Sequence, residues 1–192
     1  MLIHIIRHGK TRANEQRLYC GATDLALSDE GVAELVDLKR QGIYPECVGL
    51  CFTSGLLRAE QSLDVLYGSV HRTALPRLAE FRFGSFEMKS YEMLKDQSDY
   101  QRWITDETGQ VCCPGGDNKQ AFTHRVIEGY ELLMGHAQDG KDLFVVCHGG
   151  VITSIMEHLF PGIRNFYEWQ PRPGRGYTLD YTSAGLLRYE PV

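Results

Sequence analysis

The sequence predicts an α/β three-layer sandwich, a mostly parallel sheet with helices on both faces, and three observations carry that prediction. Two short apolar runs, Leu2 to Ile6 and Leu143 to Val146, each stop at polar residues, Arg7-His8-Gly9 and Cys147-His148-Gly149-Gly150. Continuous apolar strands of this kind belong to parallel sheets covered on both sides. Between and around them lie stretches with helical spacing, and alternating strands and helices build a doubly wound sheet.

The elements follow in chain order. After the first strand, Ser28 can cap a helix with Val32, Leu35 and Val36 on its apolar face. A further strand is expected through Gly49 to Thr53. Ser54 can then cap a helix carrying Leu56, Leu63 and Leu66. Asp117 and Gln120 form a capping-box pattern ahead of Phe122, Val126, Tyr130 and Leu133, at helical spacing. After the strand at 143–146, Val151 to Phe160 reads as a helix ended by Pro161-Gly162. Tyr177 to Tyr181 and Leu186 to Tyr189, split at 182–185, read as a closing hairpin.

At 192 residues and 43% hydrophobic content, the chain suits one domain spanning 1–192 and is neither disordered nor of low complexity. A net charge of −5 argues against general affinity for nucleic acid or an anionic membrane, so an anionic ligand has to be held by a local cluster. The six cysteines include no C-x-x-C pair and read as reduced thiols. The apolar run at the start is too short for a signal peptide, and no stretch approaches the about 18 apolar residues of a membrane span. A cytoplasmic location without membrane or nucleic-acid partners is expected.

Sheets of this class bind ligands at the carboxyl ends of their strands. That rule places Arg7-His8-Gly9, Ser54 to Arg58 and His148-Gly149-Gly150 along one edge. Two His and two Arg there suit phosphoryl transfer. Arg7 and Arg58 match phosphate oxygens with planar, permanently charged guanidinium groups. A neutral His8 can attack phosphorus through one ring nitrogen if a partner holds the proton on the other. A protonated His148 would add a donor to the equatorial oxygens. A metal site on the two histidines lacks further ligands at H-x-H, H-E-x-x-H or paired-Cys spacing, and the arginines would repel a cation. No metal or cofactor is expected.

Arg7-His8-Gly9-Lys10-Thr11 resembles the R-H-G-x-T signature of the histidine phosphatase superfamily, in its phosphoglycerate mutase-like branch. The resemblance continues in order through Asn14, Tyr19-Cys20-Gly21, Thr23-Asp24, Leu27 to Gly31, Thr53-Ser54, Arg58-Ala59, Leu78 to Gly84, Pro114 to Asp117, and Val146 to Ile152. It implies a phosphoglycerate mutase-like fold and a metal-independent phosphomonoesterase acting on a small phosphorylated metabolite. It also implies that His8 becomes phosphohistidine and that Arg7, Arg58 and His148 complete the phosphate pocket. Glu80 would protonate the leaving oxygen and then activate water. Thr11, Asn14, Cys20, Gly21 and Gly149 are the substrate-binding candidates on the same grounds. Leu18 to Gly21 with Thr23-Asp24 is similar to the α-ribazole phosphatase branch, which acts in cobalamin assembly.

Other readings stand beside these. Phosphoglycerate mutase activity is the alternative within the family, although mutases are generally longer and this chain is compact. A phospholigand sensor without chemistry is the alternative outside enzymes. Glu87 lies near Glu80, and either could be a solvated surface carboxylate. Lys10 stands where Glu or Gln is common and adds a positive charge beside the pocket. Residues 86–113, with Tyr91, Tyr100 and Trp103, read as a helical excursion partly covering the site, or as aromatics packed onto the sheet. Asn165, Tyr167, Trp169, Arg172 and Arg175 form a second candidate rim.

Overall fold

The structure, a computed structural model, describes residues 1–137, 140–182 and 185–192. Among them is a six-stranded sheet of β1 (Leu2–Arg7), β2 (Leu50–Thr53), β3 (Arg72–Ala74), β4 (Leu143–Cys147), β5 (Gly176–Thr182) and β6 (Gly185–Pro191), in the order β3-β2-β4-β1-β5-β6. Strands β3, β2, β4 and β1 run parallel, while β5 and β6 are antiparallel to their neighbours. The sheet is mostly parallel, as the apolar runs predict. Strand β3 escapes the sequence pattern because it is three residues long and mostly exposed.

The helices are α1 (Arg12–Glu15), α2 (Asp29–Arg40), α3 (Leu57–Tyr67), α4 (Tyr91–Leu94), α5 (Ser98–Ile104), α6 (Lys119–Gly135), α7 (Gly149–Leu159) and α8 (Phe166–Trp169). Alternate residues of the central strands face opposite layers. Ile3, Ile5, Leu143 and Val145 pack with Phe122, Val126 and Leu133 of α6 and Val151, Ile152 and Ile155 of α7. On the other face Ile6 meets Leu35 of α2 and Leu66 of α3, while Phe144 and Val146 meet Ala59 and Leu63. Each such buried apolar side chain contributes roughly 1.5–3 kcal/mol, which is why the central strands β1 and β4 are mainly apolar, with His4 of β1 buried among them.

Three details depart from expectation. Ser28 caps α2 by accepting from Gly31 N at 3.1 Å, yet Val32 is exposed and the buried face is Gly31 and Leu35. Helix α3 begins at Leu57, so Leu56 precedes it and Ser54 is no helix cap. Helix α6 is capped by Asn118, which accepts from Ala121 N at 2.7 Å. Asp117 is buried instead, where its carboxylate takes the Arg82 Nε at 2.7 Å and the Arg125 guanidinium at 3.5 Å. The hairpin forms as expected, with residues 183 and 184 of its turn outside the described residues.

The excursion after Phe86 contributes α4 and α5. Leu94, Tyr100 and Trp103 are buried with Phe81 and Phe86 in the larger core cluster, and Tyr91 is exposed. Tyr100 also exchanges a 2.6 Å hydrogen bond with Tyr19. These aromatics anchor the segments on either side of Gly21 and Glu80. No helix among the described residues is long and apolar enough to cross a membrane.

Candidate active site

Sheet register brings the site together. Arg7 pairs with Cys147 and Thr53 with Val146, so His8, Ser54 and His148 leave neighbouring strands at the same edge. His8 N donates to Cys147 O at 2.9 Å, which ties the two histidine-bearing turns directly. Their rings lie 5.1 Å apart, edge to face. Gly9 N donates to Ser62 Oγ at 2.9 Å, and Ser62 in turn donates to Arg58 O at 2.6 Å, coupling the turn after β1 to helix α3.

His8 is buried, and its Nδ1 lies 2.7 Å from Gly9 O. A carbonyl only accepts, so Nδ1 carries the proton and Nε2 keeps its lone pair. Burial holds the His8 pKa well below 6.5, and the Arg58 and Arg7 charges push the same way. His8 is therefore a neutral imidazole at neutral pH. His148 is fully buried, with Nε2 2.7 Å from Ser54 Oγ and no hydrogen-bond partner for Nδ1 among the described residues. Burial, then His8 and the two arginines, also hold its pKa well below 6.5. Burial and the neighbouring charges thus keep His148 neutral in the free protein, so the protonated form that the sequence reading considers is not the one the protein's own groups favour. A phosphate dianion between the rings would act in the opposite direction.

The arginines are positioned by backbone carbonyls. Arg58 is 1% exposed and donates from Nη1 to Thr23 O at 2.9 Å and from Nη2 to Gly21 O at 2.7 Å. Arg7 donates from Nη1 to Pro171 O at 2.8 Å, while its buried Nε has no hydrogen-bond partner among the described residues. Burial lowers the Arg7 pKa, with Glu80 opposing and Arg58 adding to the effect. Gly149 opens α7 directly beside this side chain. A Cβ there would stand 3.1 Å from Arg7 Cζ and 2.9 Å from Gln170 Nε2, so a larger residue would make the Gln170 amide shift and the guanidinium give by a few tenths of an ångström.

Glu80 closes the opposite side. One carboxylate oxygen accepts from Phe81 N at 2.9 Å and the other from Gly150 N at 3.0 Å, at the first turn of α7. Its backbone is clasped from behind by Arg125, which donates to Ala79 O at 2.8 Å and Glu80 O at 3.2 Å. Glu87 has a different task. It accepts from Gly21, Ala22, Thr23 and Phe83 N–H groups and from Thr23 Oγ1. Burial pushes its carboxyl up, but those hydrogen bonds outweigh it and hold the pKa below the usual range. Glu87 thus shapes the loop whose carbonyls receive Arg58.

Among the remaining candidates, Gly21 lies in that loop, where a Cβ would fall 1.6 Å from Phe81 O. Cys20 is half-buried, with Sγ donating to Thr23 O at 3.5 Å; burial raises its pKa and Arg58 partly offsets this. Thr11 and Asn14 are engaged with each other, as Asn14 Oδ1 accepts from Thr11 N at 2.9 Å and Thr11 Oγ1 at 3.0 Å. Lys10 does not point its charge at the pocket. Its ammonium pairs with Glu30 at 2.7 Å and Glu34 at 2.6 Å on α2. Ser62 and Arg125 are supporting residues that sequence patterns do not reveal, since Gly9 and Glu80, which they hold, lie far along the chain. Among the described residues, no group of three or more His, Cys, Asp or Glu is arranged to hold a metal ion.

Comparison with known proteins bears on this geometry. The profile of the histidine phosphatase superfamily (branch 1) matches residues 3–188. The chain is 33% identical over 166 residues to the adenosylcobalamin/alpha-ribazole phosphatase of Salmonella typhimurium, covering 83% of this chain and 79% of that protein. It is 25% identical over 174 residues to a 2,3-bisphosphoglycerate-dependent phosphoglycerate mutase of Bradyrhizobium diazoefficiens, covering 83% of each. The crystal structure of the alpha-ribazole phosphatase from Shigella flexneri superposes with a TM-score of 0.83 over 98% of this chain and 95% of that one, at 24% identity, a likeness of fold. A match that runs unbroken through both histidine-bearing strand ends leaves one assignment: the chain belongs to the histidine phosphatase superfamily, branch 1.

Proposed function

We propose that this chain hydrolyses a small phosphomonoester through a phosphohistidine formed on His8. The observation that carries the reading is the 2.7 Å contact of His8 Nδ1 with Gly9 O, which leaves Nε2 as a free lone pair on a neutral ring beside two arginines. In the first half-reaction Nε2 attacks phosphorus as the ester P–O bond breaks, and Glu80 supplies the proton to the leaving oxygen. Arg7, Arg58 and His148 hold the equatorial oxygens as charge develops there. In the second, water attacks phosphorus as the N–P bond to His8 breaks, Glu80 takes the water proton, and phosphate leaves with His8 restored. Thr11, Asn14, Cys20, Gly21 and Gly149 line the approach, and the excursion at 86–113 partly covers it in a single domain.

The leading substrate is α-ribazole 5′-phosphate, on the strength of the relative named for it. A cytoplasmic site of action fits six thiols with no disulfide among the described residues. Phosphoglycerate mutase activity is the second reading, supported by relatives of that name. The test is phosphate release from para-nitrophenyl phosphate in chelator, for wild type, His8→Ala and Glu80→Ala, then from α-ribazole 5′-phosphate and the phosphoglycerates. Turnover by wild type and none by His8→Ala supports the mechanism. Binding of vanadate without turnover of any ester would make the chain a sensor. Isomerisation of phosphoglycerate faster than hydrolysis would make it a mutase.

A further inference from the structure

Away from the site, before and within the opposite end of β2, Cys47 and Cys51 bring their Sγ atoms to 2.9 Å. That is roughly 1 Å beyond a covalent S–S bond. A local backbone bond accompanies the approach: Val48 N donates to Glu46 O at 3.1 Å, across Cys47, just before β2 begins. Cys51 is 5% exposed, whereas Cys47 is half-buried, so one thiol is open to a reagent and the other is enclosed behind it. Their surroundings are apolar: Cys51 packs with Ala59, Leu63, Phe144 and Val146, and Cys47 lies against the same cluster. The pair is neither a metal cluster nor part of the phosphoryl site, and the spacing C-x-x-x-C gives no signal in sequence.

We propose that Cys47 and Cys51 form an oxidative modification site, a dithiol that a low-molecular-weight disulfide converts to an intramolecular disulfide. The thiolate of Cys47 attacks one sulfur of the small disulfide, forming a mixed disulfide and releasing one small thiol. Cys51 then loses its proton to solvent and attacks Cys47 Sγ, releasing the second. The protein pair gives up two electrons and two protons, and the small disulfide takes up both. Burial and the neighbouring Cys47 push the Cys51 thiol up to about 12, so this second attack is the slow one. The inference is independent of the phosphatase reading.

The experiment treats the full chain with oxidised glutathione, alkylates the remaining thiols after denaturation and maps the products by mass. Trypsin places both cysteines in one peptide, residues 41–58. In wild type this peptide is expected to lose two hydrogens, to refuse the alkylating reagent, and to take two alkyl groups once reductant is added. In Cys51→Ser the same peptide should accumulate one glutathionyl group, because nothing resolves the mixed disulfide. The wild-type result decides alone if that variant does not fold. A wild-type peptide that stays doubly alkylatable, or that retains glutathione on Cys47 with Cys51 free, overturns the proposal.

Discussion

The hydroxyl of Ser54 lies 2.7 Å from Nε2 of His148, joining the end of β2 to the end of β4. Ser54 Oγ also accepts from Leu56 N at 3.3 Å, which favours its donating to the imidazole and leaves the ring proton on Nδ1, the nitrogen without a partner among the described residues. The imidazole thereby keeps one N–H donor uncommitted beside His8. Ser54→Ala should cut kcat for aryl phosphate by about tenfold, since one hydrogen bond of about 1–1.5 kcal/mol orients the ring. Steady-state kinetics with a urea melt would separate this from unfolding, and an unchanged kcat would remove Ser54 from the account.

Glu87 should act on catalysis at one remove. Glu87→Ala strands the N–H groups of Gly21, Ala22, Thr23 and Phe83, and the loop that receives Arg58 loses its shape. The expected cost is about 2 kcal/mol of stability, because partly buried donors lose a charged acceptor together. A rise in KM for aryl phosphate should accompany it. Glu87→Gln keeps some acceptor capacity and should fall between. A variant that melts like wild type would refute the assignment.

Gly21→Ala is a stricter test of the same loop. With its Cβ 1.6 Å from Phe81 O, the loop or the Glu80 segment has to move. We expect a loss of about 3 kcal/mol in chemical denaturation together with a fall in kcat/KM. Lys10→Met should leave kcat/KM unaltered, since that ammonium is held by Glu30 and Glu34.

The two site histidines should also write a signature into stability against pH. Both have folded pKa values well below 6.5, so unfolded chains bind protons that folded chains refuse. Stability from this source is fully present above pH 6.5 and is lost as pH falls from there toward the lowered values. Thermal melts of wild type should therefore drop more steeply between pH 6.5 and about 5 than those of a His8→Gln, His148→Gln double variant. His4, lowered mainly by burial, leaves a residual slope in both. Equal slopes would count against buried neutral imidazoles.

Where fold and site were legible in sequence, the reason was local. The runs ending at Arg7 and Cys147 declare buried strands because both faces are apolar, and the residues just past them fall at one sheet edge. Misreadings arose where distance decided. Asp117 looks like a cap until Arg82 and Arg125 claim its carboxylate, leaving the cap to Asn118. Ser54 looks like a cap until His148 claims its hydroxyl. Glu87 looks like a surface carboxylate because its partners are mainly backbone N–H groups, which no side-chain pattern encodes.

The central strand β1 has only late partners: β4 from Leu143 onward on one side and β5 from Gly176 onward on the other. Its first residues leave the ribosome long before either neighbour exists, so His8 waits without a pocket while most of the chain is made. Closing so distant a pairing is slow and exposes apolar strand edges meanwhile. Activity in a growing chain would switch on late and abruptly, once β4 docks and carries His148 to its place beside His8.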